Sequence, residues 1–219
     1  MPKQAENPII TRVFGTFYII PKLLIAKIYN QNKTQSSHTH RLTLPSKNLE
    51  FKAKCDSLDV LRQRAVVLKA QHCRTMHQID TYFNVPKGRL KLREVDDDTT
   101  AQLVYYERPD AAESRYSNYQ LCDIPQPAAF KAMMSETLGV MVVVEKRREL
   151  WMFGETRIHL DEVVNLGLFL ELETVIRDQT AAEARAEHQF VKEGLQVKAN
   201  ELISVSYSDL IRADKTTPC

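Results

Sequence analysis

Glu171 and Glu173 stand two residues apart in the segment FLELE, and Glu50 and Lys52 repeat that spacing in NLEFKAK. On a β-strand, residues i and i+2 point to the same face, so each pair can converge on one ligand. Carboxylates gathered in this way suit a hard divalent cation with oxygen ligands, Mg2+ or Mn2+. Lysine and arginine alternate in the same manner at Lys52 and Lys54, at Arg89, Lys91 and Arg93, and at Lys146 and Arg148, while Arg157, His159 and Asp161 share another stripe. Arginine is the side chain best shaped for bidentate phosphate contacts. Together with Arg108, these stripes place nine cations and the acids Glu50, Asp161, Glu171 and Glu173 on one face. If that face is enclosed, nine buried cations demand a compensating anion, and a triphosphate chain bridged by metal is the natural match. The bland alternative is a solvated sheet face.

The elements that position these residues follow from period-2 alternation. Strands are expected at 48–54, 78–84, 88–95, 101–108, 115–121, 140–151, 155–163 and 168–176. Pro86 to Gly88, Gly154 and Asn165 to Gly167 supply the hairpin turns. Eight sequential strands with hairpin connections favour a closed antiparallel barrel. Apolar residues on the alternate positions would face outward, under helices at 57–70, 126–138 and 180–193 and a short one near 206–212. The fold class is therefore α+β, an eight-stranded antiparallel β barrel with flanking helices.

Composition narrows the function. Apolar residues make up 43% and charged residues 26% of the 219, values of a globular chain with a buried core. The formal net charge is only +2, so a general nucleic-acid binder is not expected. Cys55, Cys73, Cys122 and Cys219 show neither zinc spacing nor disulfide density, and free thiols in a reducing, cytoplasmic compartment are the default. The histidines form no metal-ligand spacing either. Residues 1–47 hold seven Lys/Arg against one acid, Glu6. They read as an extension, a disordered tail or a mitochondrial-type targeting segment. Their uncharged run from Val13 to Pro21 is too short for a spanning helix, so stable membrane insertion is not expected. The main domain then runs from 48 to 213, with 214–219 as a tail.

From Asn48 to Leu210 the chain resembles the CYTH family, also called triphosphate tunnel metalloenzymes. The resemblance rests on NLEFKAK, QIDTYFNVPKGRLKLRE, LVYYERPD, SRYS, VVVEKRRELW, RIHLDEVVNLGLFLELE and SYSDLI, in that order. It implies a tunnel barrel acting on a triphosphate-containing small molecule with Mg2+ or Mn2+. By matching motif it implies Glu50, Glu171, Glu173 and Asp161 as metal ligands. Lys52, Lys91, Arg93, Arg108, Lys146, Arg148 and Arg157 would bind the triphosphate, and Glu50, Lys52, Glu171 and Glu173 would form the catalytic set. The family's opening Glu-x-Glu-x-Lys begins here with Asn48, which removes one charge from the metal site. Water attack on such a substrate gives hydrolysis, attack by a ribose hydroxyl gives cyclic AMP and pyrophosphate from ATP, and a non-catalytic polyphosphate-binding module is the third reading.

Overall fold

The computed structural model describes residues 9–13, 16–20, 46–96, 98–107, 114–177 and 179–216. Residues 1–40 form one unit and 41–219 another. In the first unit, β1 (Ile9–Val13) and β2 (Thr16–Ile20) pair as an antiparallel hairpin. Of the expected extension, residues 1–8, 14, 15 and 21–45 lie outside the described residues, as do Arg108 and the last three residues of the tail, while Ser46 and Lys47 begin the first strand of the second unit.

The second unit contains β3 (Ser46–Lys54), α1 (Leu58–Val67), β4 (Gln71–Phe83), β5 (Arg89–Val95), β6 (Ala101–Glu107) and β7 (Arg115–Ile124). It continues with α2 (Pro127–Leu138), β8 (Val140–Phe153), β9 (Thr156–Val163), β10 (Gly167–Ile176), α3 (Ala181–Gly194), β11 (Leu202–Ile203) and α4 (Tyr207–Thr216). Strand order is β10-β9-β8-β4-β5-β6-β7-β3, and β3 pairs back onto β10, so an eight-stranded antiparallel barrel closes. The two-residue β11 adds to β3 at Lys52 and Ala53, beyond the stretch of β3 that pairs with β7. Among the described residues, no helix is long and apolar enough to cross a membrane.

All eight expected barrel strands and all four helices are present. β4 differs most, because it begins at Gln71, seven residues before the alternation becomes regular. Its N-terminal part pairs with the end of β8 across a register shift between His72 and Arg74, and a shift of this kind breaks the period-2 pattern. Gly88 opens β5 with φ +67, and a Cβ there would come within 2.9 Å of the Tyr106 carbonyl, so the hairpin requires glycine.

Alternation buries both faces of the barrel wall. Phe51, Ala53, Ile158, Leu160, Leu170 and Leu172 point outward into a core completed by Leu58, Leu61 and Ala65 of α1 and by Val191 and Leu195 of the α3 end. Ser57 caps α1, and Thr180 with Glu183 forms a capping box on α3. The solvated-face alternative is thereby excluded, since helices cover the apolar side and leave the charged side to line the barrel.

His188 makes polar contacts across this outer layer. His188 of α3 is buried, with Nδ1 at 2.9 Å from Thr174 Oγ1 and Nε2 at 3.0 Å from Ser114 Oγ. Burial, aided by Lys192, pushes its pKa from the ordinary 6.5 down to about 4. Between those values the unfolded chain binds a proton that the folded chain refuses, so stability present above pH 6.5 is lost as the pH falls toward 4. The loss amounts to about 3 kcal/mol. Urea unfolding at pH 7, 5.5 and 4.5 should therefore show a smaller drop for His188→Gln than for the parent chain. Parallel curves for the two proteins would refute the assignment.

Candidate active site in the barrel interior

A cavity of about 430 Å3 runs inside the barrel. β3 contributes Asn48, Glu50 and Lys52; β4 contributes Gln78 and Asp80; β5 contributes Lys91 and Arg93. From the far side come Lys146 and Arg148 of β8, Arg157 and His159 of β9, and Glu171 and Glu173 of β10. The sequence-predicted site residues thus converge, apart from Asp161 and Arg108. Asp161 is fully buried and does not itself line the cavity, although its partners Arg148, Lys146 and Tyr207 do. Lys54 and Arg89, also placed on the charged face by alternation, leave it. Lys54 is exposed at the end of β3, and Arg89 Nη2 is drawn to Asp209 of α4 at 2.8 Å.

Carboxylates inside the barrel offset much of the cationic charge there, including Asp80, which the expected charged face did not contain. Asp80 is 1% exposed, accepts from Lys91 Nζ at 2.7 Å and is held by Arg93 Nε at 2.9 Å. Burial pushes the Asp80 pKa up, but Arg93 and Lys91 overcome this and hold it well below the usual carboxylate range. Arg148 makes a bidentate contact with Asp161 at 2.6 Å on each arm, and its Nη2 also reaches Glu171 Oε2 at 2.6 Å. Lys52 Nζ lies 2.5 Å from Glu171 Oε1. Lys52, Lys91, Arg93 and Arg148 are thereby each fixed in place by a carboxylate inside the barrel.

Asp161 is surrounded by cations and a phenol. Both oxygens engage Arg148, Tyr207 Oη donates to Oδ2 at 2.8 Å, and Lys146 Nζ stands 3.7 Å away. Its surroundings are those of a counterion that positions Arg148. Burial pulls the Lys146 pKa down to about 7, with Arg148 adding to the effect.

A different trio can hold a metal. Ligand atoms of His159, Glu171 and Glu173 all lie within 4.8 Å of one another. His159 Nδ1 is buried without a hydrogen-bond partner, an orphaned lone pair or proton at the centre of the group. Burial, with Arg148 nearby, lowers the pKa of His159 and keeps the imidazole in the neutral form that ligates metal. Two carboxylates and an imidazole fit a divalent cation, Mn2+ tolerating the nitrogen more readily than Mg2+. Glu50 lines the same cavity and stands opposite Glu173 in the β3–β10 register, and Arg157 Nη1 reaches Glu173 at 3.3 Å.

Three site residues escaped the sequence reading. Asp80 shares parity with Gln78 and Tyr82 in QIDTYF, a signal that was present but masked by its apolar neighbours. His159 forms no ligand spacing along the chain because its partner lies across the sheet, directly opposite Glu171. Tyr207 enters from α4, its ring 3.9 Å from Lys52 Nζ and 4.9 Å from the ring of Phe169, and no periodicity links it to the strands.

A family model for the CYTH domain matches residues 46–207. The chain belongs to the CYTH family. Among solved structures, the PH1012 protein of Pyrococcus horikoshii aligns with a TM-score of 0.65 at 22% identity, over 74% of this chain and 98% of that one. A candidate adenylate cyclase from Vibrio parahaemolyticus aligns at 0.62 and 16%, over 77% and 99%. A candidate adenylyl cyclase from Hippeastrum, described as having a dominant triphosphatase activity, aligns at 0.54 and 14%, over 79% and 98%. No curated protein matches the chain. These likenesses establish the CYTH tunnel fold, and the family assignment connects the tunnel to triphosphate chemistry and, in general, to metal dependence.

Proposed function

We propose that the chain hydrolyses a triphosphate-containing substrate inside the barrel, with Mg2+ or Mn2+ held by Glu171, Glu173 and His159 and supported by Glu50. The observation that carries this reading is a metal-competent trio inside the barrel, in direct contact with the cations that would grip phosphate. When bound, a divalent ion polarises phosphoryl oxygens and lowers the pKa of water.

The chain's own residues do the positioning. Lys52, Lys91, Arg93, Lys146, Arg148 and Arg157 surround the cavity and stabilise charge on the transferring group, with Arg108 of the β6–β7 connection assigned to the same role. Asp80 and Asp161 hold their cations in fixed orientation, so little reorganisation accompanies reaction. Lys52 and Glu171 neutralise each other at 2.5 Å. Phosphate binding by Lys52 and cation binding by Glu171 both open that contact, which makes the two events mutually favourable.

The test is a panel of tripolyphosphate, thiamine triphosphate and ATP with each metal, with phosphate and pyrophosphate products separated by chromatography. Metal-dependent phosphate release is the expected result. Cyclic AMP with pyrophosphate would reassign the site as a cyclase, and triphosphate binding without turnover would leave only a binding module.

A further inference from the structure

The cavity wall is uneven. Among the described residues, β6 and β7 present only uncharged side chains to it: Gln102, Val104 and Tyr106 from one strand, Ser117, Tyr119 and Leu121 from the other. Register turns four of these into one patch, with Val104 opposite Leu121 and Tyr106 opposite Tyr119. The patch begins one strand away from the anion-binding cations, since Lys91 pairs directly with Val104. A triphosphate lying on Lys91 and Arg93 therefore has as its next neighbour a largely apolar and aromatic surface, which among the described residues offers its oxygens hydroxyls and an amide but no cation.

At the other edge of this wall, Asn48 pairs with Ser117. Its side chain is 5% exposed, lines the cavity, and its Oδ1 is buried with no hydrogen-bond partner. Such an acceptor is satisfied by a ligand's donor or, as proposed for His159, by a bound cation. Unprotonated phosphate oxygens only accept, whereas an exocyclic amine or a sugar hydroxyl donates. The cavity volume, about 430 Å3, also falls in the range of roughly 300–1,000 Å3 typical of sites that enclose organic ligands.

Resting on the triphosphate reading above, we infer that the β6–β7 wall seats a planar aromatic head group. The substrate is then a triphosphate ester carrying such a ring and an N–H or O–H donor for Asn48, in preference to inorganic triphosphate. Tyr106 and Tyr119 are the specificity-determining residues, with Leu121 and Val104 completing the apolar face.

Calorimetric titration of the full chain in Mg2+ tests this, using the βγ-imido analogues of ATP and GTP against inorganic imidotriphosphate, so that turnover does not intervene. At least one nucleoside analogue should bind about tenfold or more tighter than the inorganic ligand, the scale of stacking on an aromatic side chain. Tyr119→Leu should cut that preference about tenfold, and Leu121→Ser at the neighbouring position should also reduce it. Equal affinity of all three ligands for the parent chain would overturn the inference while leaving the triphosphate site intact. A preference unaltered in both variants would overturn it too. Failure of every ligand to bind would remove the triphosphate reading itself.

Discussion

Glu171→Gln should lose metal-dependent turnover by about 10³-fold or more while remaining folded. The scale is that of removing one preorganised charge contact from an enzyme site. Glu171 is where the two halves of the site meet. One oxygen holds Lys52 at 2.5 Å and the other holds Arg148 at 2.6 Å, with His159 Nδ1 at 3.7 Å. Burial pushes its pKa up, but Lys52 and Arg148 prevail and keep it ionised, well below the usual carboxylate range. Glutamine preserves the volume and one acceptor, so packing survives while the charge that metal and lysine share disappears. Glu171→Ala removes the side chain as well; both changes strand two buried cations, at a cost of about 3–5 kcal/mol in comparable sites. Phosphate release and thermal melting on both variants separate the effects. Turnover of Glu171→Gln within tenfold of the parent would exclude Glu171 from the catalytic set.

The barrel was legible because alternation is a local property. NLEFKAK and GRLKLREV state their two faces residue by residue, and both strands occur where that pattern places them. The charged face could be assigned to the interior only through the helices, whose apolar stripes had to pack on something. Charge balance was not legible. It depends on Asp80 meeting Lys91 and Arg93 on the next strand, and on Asp161 meeting Arg148 across the β8–β9 pairing. Both are cross-strand relations, fixed by register and invisible to spacing along the chain. Strand ends failed for a related reason: Lys54 and Arg89 have the correct parity, but they lie at strand termini. Tyr207 illustrates the remaining limit, because its place over Lys52 is set by how α4 docks against the barrel.

The role of Asp161 can be decided by taking away its charge. Asp161→Asn leaves Arg148 and Lys146 buried without their main counterion, and stability at pH 7 should fall by about 3–5 kcal/mol. Burial pushes the pKa of this carboxyl up, but Arg148 and Lys146 drive it far down, so the group is ionised at every pH at which the protein would be handled. Asparagine keeps the shape and can still accept from Arg148, which makes the lost charge the dominant change. An added polyanion can then do what the carboxylate did. In EDTA, tripolyphosphate should stabilise the variant more than the parent, because the parent tunnel already has Asp161 to neutralise Arg148. Linkage sets the scale, about 2.7 kcal/mol at a ligand concentration one hundred times its dissociation constant. A metal ligand would behave in the opposite way: its loss would weaken cation binding, and tripolyphosphate without metal would offer no selective rescue. Urea unfolding of both proteins with and without tripolyphosphate therefore distinguishes a counterion that positions Arg148 from a fourth member of the metal site.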